Sequence, residues 1–138
     1  MYRKCVAVLV LDFESKEILS FQRSDFPKSW QVPQGGIDKN ETYENAAKRE
    51  LFEETGIKCD KFESSCGPFE YNYPKNCTFK EKGQTQYWFL ARWEKQEIKL
   101  NHEFQAYKWQ SKEDLIFNYP EFKKSSLISA LESFSKFL

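Results

Sequence analysis

The chain has 138 residues, with 21 basic and 21 acidic side chains, so its formal net charge is zero. This length is typical of one domain and is enough to enclose a hydrophobic core, so we expect a single domain over residues 1–138. A balanced charge argues against a broad, non-specific surface for DNA, because such surfaces carry many excess cations. It leaves room for a local basic pocket that holds a few phosphates.

Membrane insertion and secretion are not indicated. The apolar run Cys5–Leu11 is too short to span a bilayer, and no small-residue cleavage site follows it. The four cysteines form no Cys-x-x-Cys pair and His102 is the single histidine, which argues against a zinc site. We therefore expect free, mostly buried thiols and a cytoplasmic protein.

The first half of the chain predicts two strands and a glycine turn. Cys5–Leu11 has the apolar content of a buried strand, and a polar turn at 14–17 separates it from a second strand, Ile18–Arg23. A polar loop follows, and Trp30–Pro33 is predicted to be a short extended piece, with Trp30 in the core. It enters the pair Gly35-Gly36, where the backbone can bend and approach a ligand closely.

One helix is predicted with both of its ends. The run Tyr43–Thr55 contains good helix formers and no Gly or Pro. Thr42 is a suitable N-cap, and Gly56 lies where a left-handed C-terminal cap is expected. An apolar stripe at a spacing of four marks the core face: Tyr43, Ala47 and Leu51.

The second half alternates strands with helices, which predicts an α/β architecture around a mixed sheet. The predicted extended segments are Cys59–Glu63, Phe69–Tyr73, Gln86–Glu94 and Tyr107–Gln110. Asn76–Gly83 is predicted to be a loop. The predicted helices are Lys112–Phe117, capped by Ser111, and a final helix over Glu121–Phe137 that starts after Pro120.

The helix Tyr43–Thr55 carries three carboxylates on one face. Glu50, Glu53 and Glu54 stand at positions i, i+3 and i+4. At about 5 Å and an effective dielectric constant near 20, each pair repels by roughly 3 kcal/mol, so the group must be solvated, partly protonated or bound to a cation. Mg²⁺ and Mn²⁺ prefer oxygen ligands of this kind, and such ions bridge phosphates and activate water.

The spacing around these carboxylates resembles the signature of the Nudix hydrolases. The chain reads Gly35, five residues, Glu41, seven residues and Arg49-Glu50-Leu51, followed by Glu53-Glu54 and Gly56-Ile57. This matches the pattern G-x5-E-x7-R-E-U-x-E-E-x-G-U, where U is a bulky aliphatic residue. The resemblance implies an α/β/α sandwich with a mixed sheet, and hydrolysis of a nucleoside diphosphate linked to another group.

Further segments resemble bacterial RNA pyrophosphohydrolases, which overlap in sequence with asymmetrical diadenosine tetraphosphate hydrolases. Residues 29–37 read SWQVPQGGI, where the family has SWQFPQGGI, so Val32 replaces the usual Phe. Residues 71–75, 83–90, 103–109 and 122–123 match further family segments. At the N-terminus Tyr2-Arg3 matches, but the Pro-Asn that usually follows is Lys4-Cys5 here.

The resemblance implies roles for named residues. The metal set is Glu50, Glu53, Glu54 and Glu103, with the backbone of Gly35 beside them. The general base is Glu103 or Glu53. The substrate contacts are Arg3, Arg23, Gln34, Phe122 and Lys123.

Alternative roles remain open for three residues. Arg49 belongs to the catalytic motif, but taken alone it is expected to be a structural ion-pair partner. Glu41 is expected to be a residue of the helix start rather than a ligand. Phe122 fits a base-stacking platform and core packing equally well.

Two hydrolytic functions therefore remain. The leading hypothesis is an enzyme that uses Mg²⁺, or Mn²⁺ in its place, as two or more ions, to convert RNA 5′-triphosphate or diphosphate ends to monophosphates. The alternative substrates are diadenosine polyphosphates or nucleoside triphosphates. A non-catalytic sensor would carry a degenerate motif, and a partner-binding scaffold would expose its four tryptophans. No motif identifies a protein partner.

Overall fold

The sheet is built around two ten-residue strands, β1 (Tyr2–Leu11) and β6 (Gly83–Arg92), which pair in parallel in the computed structural model of residues 1–138. The other strands are β2 (Ile18–Arg23), β3 (Trp30–Gln31), β4 (Gln34–Gly36), β5 (Ser64–Asn72) and β7 (Phe104–Gln110). The strand order is β3-β2-β1-β6-β5, with β4 added to β1 and β7 to β2, and every pairing other than that of β1 with β6 is antiparallel. The sheet is therefore mixed, as predicted.

Helices cover both faces of the sheet and give three layers. The helices are α1 (Tyr43–Thr55), α2 (Lys112–Asn118) and α3 (Lys124–Ser133). Side chains of β1 alternate between two buried clusters, since successive residues of a strand point to opposite faces. Val6, Val8 and Val10 pack with α1, whereas Ala7, Leu9 and Leu11 pack with α2 and α3. The predicted α/β/α sandwich is confirmed.

Helix α1 has the predicted bounds and both predicted caps. The Thr42 hydroxyl accepts a hydrogen bond from the Asn45 amide at 3.1 Å, and Gly56 adopts a left-handed conformation with φ of 75°. Ala47 and Leu51 are fully buried, and Tyr43 stacks on Tyr87 of β6 with 3.8 Å between ring centroids. The predicted apolar stripe is therefore the core face, and the three glutamates lie away from it.

Several predicted elements differ from the structure, and the predicted strands Gln86–Glu94 and Tyr107–Gln110 begin three residues earlier, at Gly83 and Phe104. Cys59–Glu63 was predicted to be extended, but it lies outside the sheet, and β5 begins at Ser64 instead of Phe69. The final helix is interrupted: a 3-10 helix spans Glu121–Lys123, α3 follows, and a second 3-10 turn spans Ser135–Phe137. Gly35-Gly36 was predicted to be a turn only, but it belongs to β4.

The tryptophans do not form an exposed surface. Trp88 is fully buried, and the other three are partly buried: Trp30, Trp93 and Trp109. Trp30 is therefore only partly in the core, and Lys108 Nζ lies 4.1 Å from its ring centroid. The scaffold hypothesis, which needs exposed tryptophans, loses its main support.

The cysteines carry no disulfide, and one of the four is fully buried. Cys5 is buried in β1, and the other three are partly buried. The prediction of mostly buried thiols was therefore too strong. No helix in the structure has the length and apolar character needed to cross a bilayer.

Candidate active site

A cavity of about 820 Å³ opens beside β4 and the carboxylate face of α1. Its walls come from the start of β1, the end of β2, the strands β5 and β6, and the segment between α2 and α3. This volume lies within the range of ligand-binding pockets. The cavity is where most of the predicted site residues meet.

The three glutamates of α1 differ in burial, and only Glu50 lines the cavity. The side chain of Glu53 is 53% exposed and that of Glu50 is 14% exposed. Glu54 is 2% exposed and accepts a hydrogen bond from the Gln34 amide at 3.1 Å. The predicted shared face is present, with Glu54 at its buried end and Glu53 in solvent.

Burial and a second carboxylate act together on Glu54. Burial comes first, and hydrogen bonding and repulsion from Glu103 come next, so that the pKa of Glu54 is raised to about 11. Burial also raises the pKa of Glu50, although the Arg49 guanidinium opposes the change. Burial and the neighbouring carboxylate therefore both disfavour the ionised form of Glu54.

Glu103 reaches this position from a segment far from α1 in the sequence. It lies in the loop just before β7, where its carbonyl accepts a hydrogen bond from the Ser24 amide at 2.9 Å and its amide donates to Asn101 at 2.9 Å. These bonds hold the loop against the end of β2. The structure thus brings Glu103 to Glu54 across 49 positions of sequence, and Glu103 lines the cavity.

Arg49 joins the glycine segment to α1. Its guanidinium binds both carboxylate oxygens of Glu41, at 2.8 and 3.0 Å, and donates to the Gly36 carbonyl at 2.9 Å. It also donates to Glu50 at 2.8 Å and to Glu53 at 3.4 Å. Arg49 therefore connects the glycine segment to α1, a structural role that we call a clasp. Glu41, at the start of the helix, is its main partner.

The two glycines of β4 allow close approach from both sides. A Cβ atom at Gly35 would overlap the Glu50 carboxyl group, and one at Gly36 would lie 2.6 Å from Arg3 Nη2. Larger residues here would displace a predicted metal ligand or a predicted phosphate contact. Close packing against Glu50 and Arg3, rather than a turn conformation, therefore favours glycine at both positions.

Four cations line the cavity, and three of them have no carboxylate partner. Arg23 forms a two-point ion pair with Asp25, at 2.9 and 3.1 Å. Arg3, Lys28 and Lys123 form no salt bridge. The pocket therefore carries unpaired positive charge in a protein whose net charge is zero.

Lys123 is the most unusual of these cations because it is buried. Only 8% of it is exposed, and its ammonium group donates to the Gln31 side chain at 2.9 Å. Burial, followed by repulsion from Arg23, lowers the pKa of Lys123 to about 8. The group is still protonated at neutral pH, but an anion beside it would relieve a real energetic cost.

Glutamine side chains form a hydrogen-bonded floor under the cavity. Gln34 accepts from Gln86 at 2.7 Å and donates to Gln31 at 3.2 Å. Gln86 also accepts from Ser126 at 2.7 Å, which connects the floor to α3. This chain of bonds fixes Gln34, a predicted substrate contact, between the Glu54 carboxyl and Lys123.

Aromatic rings line one wall of the cavity. Phe122 packs edge-on against Tyr71 at 5.7 Å, Tyr71 against Tyr73 at 6.0 Å, and Tyr73 against Phe79 at 5.0 Å between centroids. Phe122 is 38% exposed, and the Tyr71 hydroxyl is buried without a hydrogen-bond partner. Phe122 is thus a cavity residue with one accessible side, as the stacking hypothesis requires.

The carboxylates have the chemistry of a site for a hard divalent cation. The donors are oxygen atoms only, and the partly buried Glu103 repels the buried Glu54, so a cation between them would offset this repulsion. No group of three or more His, Cys, Asp or Glu side chains is gathered as a ligand set, and Arg49 holds Glu50 and Glu53 in ion pairs. The residues therefore fit a divalent cation, which would compete with Arg49 for the carboxylates of Glu50 and Glu53.

Sequence reasoning missed several cavity residues. Tyr71 and Tyr73 carried a usable signal, since their spacing of two at the end of a strand places both on one face. Gln84, which also lines the cavity, has the same spacing to Gln86 in β6. Phe26, Lys28, Phe79 and Phe117 lie in a loop or at a helix end and had no periodic signal.

Comparison with known proteins adds independent findings. The family model for the NUDIX domain matches residues 1–130. A Bartonella clarridgeiae protein named RNA pyrophosphohydrolase is 36% identical over 155 residues, covering 96% of this chain and 90% of the relative. A Roseobacter denitrificans protein of the same name is 31% identical over 150 residues, covering 99% and 94%. The structure of a C. elegans Ap4A hydrolase binary complex shares the fold, with a TM-score of 0.75 at 24% identity, covering 99% of each chain.

Proposed function

The chain belongs to the NUDIX domain family of hydrolases, and from this premise we propose that it removes pyrophosphate from RNA 5′ ends. Family members generally need divalent metal ions, typically Mg²⁺. The proposed substrate is an RNA with a 5′-triphosphate or diphosphate, and the product is an RNA with a 5′-monophosphate. The proposed compartment is the cytoplasm.

One observation carries the proposal: unpaired cations and a carboxylate cluster share one cavity. Arg3 and Lys123 have no carboxylate partner, and Glu50 and Glu103 line the same space. A polyphosphate needs both, since cations bind its outer oxygens and carboxylates hold the ions that neutralise it. The aromatic wall beside Phe122 adds a place for a base.

The proposed metal ligands are Glu50, Glu53, Glu54 and Glu103, with Gly35 close enough to take part through its backbone. A divalent cation held there, with two or more ions proposed, would supply Lewis-acid stabilisation of phosphate oxygens and lower the pKa of a bound water. Arg49 would hold the glycine segment and α1 in register. Its guanidinium donates hydrogen bonds to Glu50 and Glu53 and would so hold their carboxylates in place before a cation binds.

The chemical step is hydrolysis of a phosphoric anhydride bond. A water attacks phosphorus in line, the anhydride bond breaks, and the leaving phosphate or pyrophosphate takes the bonding electron pair. Glu103 is the proposed acceptor of the water's proton, and its position in the cavity wall supports it over the solvent-exposed Glu53. Pyrophosphate is released at once, or two phosphates are released in sequence.

The proposed substrate contacts act before this step. Lys123, Arg3 and Arg23 would hold the phosphates against the glutamine floor. Gln34 would orient the phosphate nearest Glu54, because it is fixed there by hydrogen bonds on both sides. Phe122 would stack on the first base, whose position then sets the reacting phosphorus.

Diadenosine tetraphosphate is the second candidate substrate, and the fold shared with the C. elegans Ap4A hydrolase favours keeping it. Product analysis with Mg²⁺ separates the two substrates at equal concentration. We expect faster conversion of 5′-triphosphate RNA to the monophosphate, with phosphate or pyrophosphate released. Cleavage of the dinucleotide alone, to ATP and AMP, would contradict the RNA assignment and leave a nucleotide hydrolase.

A further inference from the structure

Large exposed apolar side chains are concentrated at the cavity. Eight such residues occur in the chain, and four of them line this one space: Phe26, Phe79, Phe117 and Phe122. All four are phenylalanine. Single exposed hydrophobics are ordinary, but a cluster at one opening marks a binding surface.

The four rings fall into two groups. Phe122 and Phe79 belong to the aromatic wall, where each packs against a tyrosine. Phe26 and Phe117 pack against no other aromatic ring, and they are 69% and 80% exposed. These two rings form a separate group, which we call the outer pair.

The outer pair lies on two elements that flank the same strand. Phe26 is in the loop between β2 and β3, where its carbonyl accepts a hydrogen bond from the Ser29 amide at 2.8 Å. Phe117 is near the end of α2, which packs against β3. Both rings therefore project from a fixed framework at the rim of the cavity.

A cation accompanies the outer pair. Lys28 lies in the same loop as Phe26, lines the cavity, and forms no salt bridge. Exposed aromatic rings interleaved with unpaired cations are the combination that binds single-stranded nucleic acid, since bases stack on the rings and phosphates meet the cations. Lys28 extends the positively charged lining of the cavity toward the outer pair, an arrangement that binding of a protein partner would not require.

We propose that Phe26 and Phe117 form a second stacking site, which binds nucleotides of the RNA downstream of the one at Phe122. The inference rests on the proposed function and deepens it. The cavity then recognises an RNA chain rather than a polyphosphate end alone. Turnover at low substrate concentration increases with RNA length until this second site is filled.

The test compares 5′-triphosphate RNAs of two lengths. The substrates have two and six nucleotides and share the same first two nucleotides. For the wild type we expect kcat/KM to be higher for the longer RNA. In the double variant F26A/F117A the ratio of the two values falls by about tenfold, as expected when base stacking is removed by alanine substitution.

Matched variants control for general effects of truncation. Phe52 of α1 is 50% exposed and does not line the cavity, so F52A keeps the wild-type length ratio. In the single variants F26A and F117A, the ratio of kcat/KM for the long RNA to that for the short RNA falls by a smaller factor. These variants replace the double variant in the test if the double variant does not fold. Circular dichroism confirms the fold of each protein before the rates are compared.

The outcomes separate this inference from the proposed function. Conversion of both RNAs with a length ratio that F26A/F117A leaves unchanged would overturn the second stacking site alone. An equal loss on diadenosine tetraphosphate and on both RNAs would assign the outer pair to the second nucleoside of a small substrate and would also overturn it. Failure of the wild type to convert either RNA would overturn the proposed function and this inference together.

Discussion

Lys123 shows how one residue can be costly for the fold and useful for binding. Only 8% of the residue is exposed, and its ammonium group has a neutral glutamine as its hydrogen-bond partner and no carboxylate. Charge in such a place is disfavoured, which is why the pKa of Lys123 falls to about 8. The bound phosphates of a substrate would supply the missing negative charge.

The first prediction concerns the pH dependence of Lys123. Because the protonated form is the one that attracts phosphate, kcat/KM should fall as the pH rises through about 8 in the wild type. K123Q should start about tenfold lower or more, since a charged hydrogen bond is lost, and should lack this fall. The check is a pH–rate profile between pH 6.5 and 9.5.

A neighbouring lysine provides the control. Lys124 pairs with Glu121 at 3.1 Å and does not line the cavity, so K124Q should keep the wild-type profile. An alkaline fall that persists in K123Q would show that another group titrates, and the assignment of Lys123 would then be abandoned.

At the scale of elements, the functional unit is α1 together with the glycine segment before it. Arg49 connects them through Glu41, the Gly36 carbonyl and Glu50. A guanidinium can make these contacts at once because it presents five donors in a fixed plane. The ammonium group of lysine can reach only one side of this arrangement.

The second prediction follows from this geometry. R49K should lower turnover by about tenfold or more and lower the melting temperature by a few degrees, because Glu50 and β4 lose their common support. K48R, at the adjacent surface position paired with Glu44 at 3.7 Å, should leave both quantities unchanged. If R49K matched the wild type in turnover and in thermal unfolding, Arg49 would not be a clasp.

The elements also show what sequence can predict. The bounds of α1 were predictable because both its ends are encoded locally, by Thr42 and Gly56. Strand β4 was not, since Gly35 has low strand propensity and is extended only because β1 lies beside it. The start of β5 at Ser64 likewise depends on pairing with Leu90, 26 positions away.

The site was predictable in part for the same reason. The shared face of Glu50, Glu53 and Glu54 follows from helical spacing alone. Glu103 needed a family resemblance, because its approach to Glu54 depends on the docking of two distant segments. The interrupted final helix places Phe122 at the surface and Lys123 in the interior, and helical periodicity gives no sign of that break.

At the scale of the molecule, the carboxylate cluster links stability to pH and to metal. The pKa of Glu54 is 4.5 in a solvent-exposed chain and about 11 in the fold, so the folded state binds an extra proton between these values. Its contribution to stability is complete below pH 4.5 and is lost as pH rises through the folded pKa. The free energy of unfolding therefore decreases as the pH rises within this window, because the unfolded chain releases a proton that the folded state keeps.

The third prediction uses this linkage. In metal-free buffer the melting temperature should fall between pH 6.5 and 8.5, by about 4 °C per unit, and E54Q should show a smaller fall. Mg²⁺ should raise the melting temperature of the wild type, more at pH 8.5 than at 6.5, because binding requires the ionised carboxylates. An equal effect of Mg²⁺ on E54Q and on the wild type would exclude Glu54 as a ligand.

The central claim is that the carboxylate face of α1 supports hydrolysis of RNA 5′ polyphosphates, and Glu53 offers its most direct test. This side chain is 53% exposed, so glutamine can replace it without disturbing the core. With Mg²⁺, the rate of conversion of 5′-triphosphate RNA to 5′-monophosphate RNA should fall by at least about 100-fold in E53Q. E44Q, an exposed change on the same helix, should keep the wild-type rate. Turnover in E53Q close to that of the wild type would contradict the account.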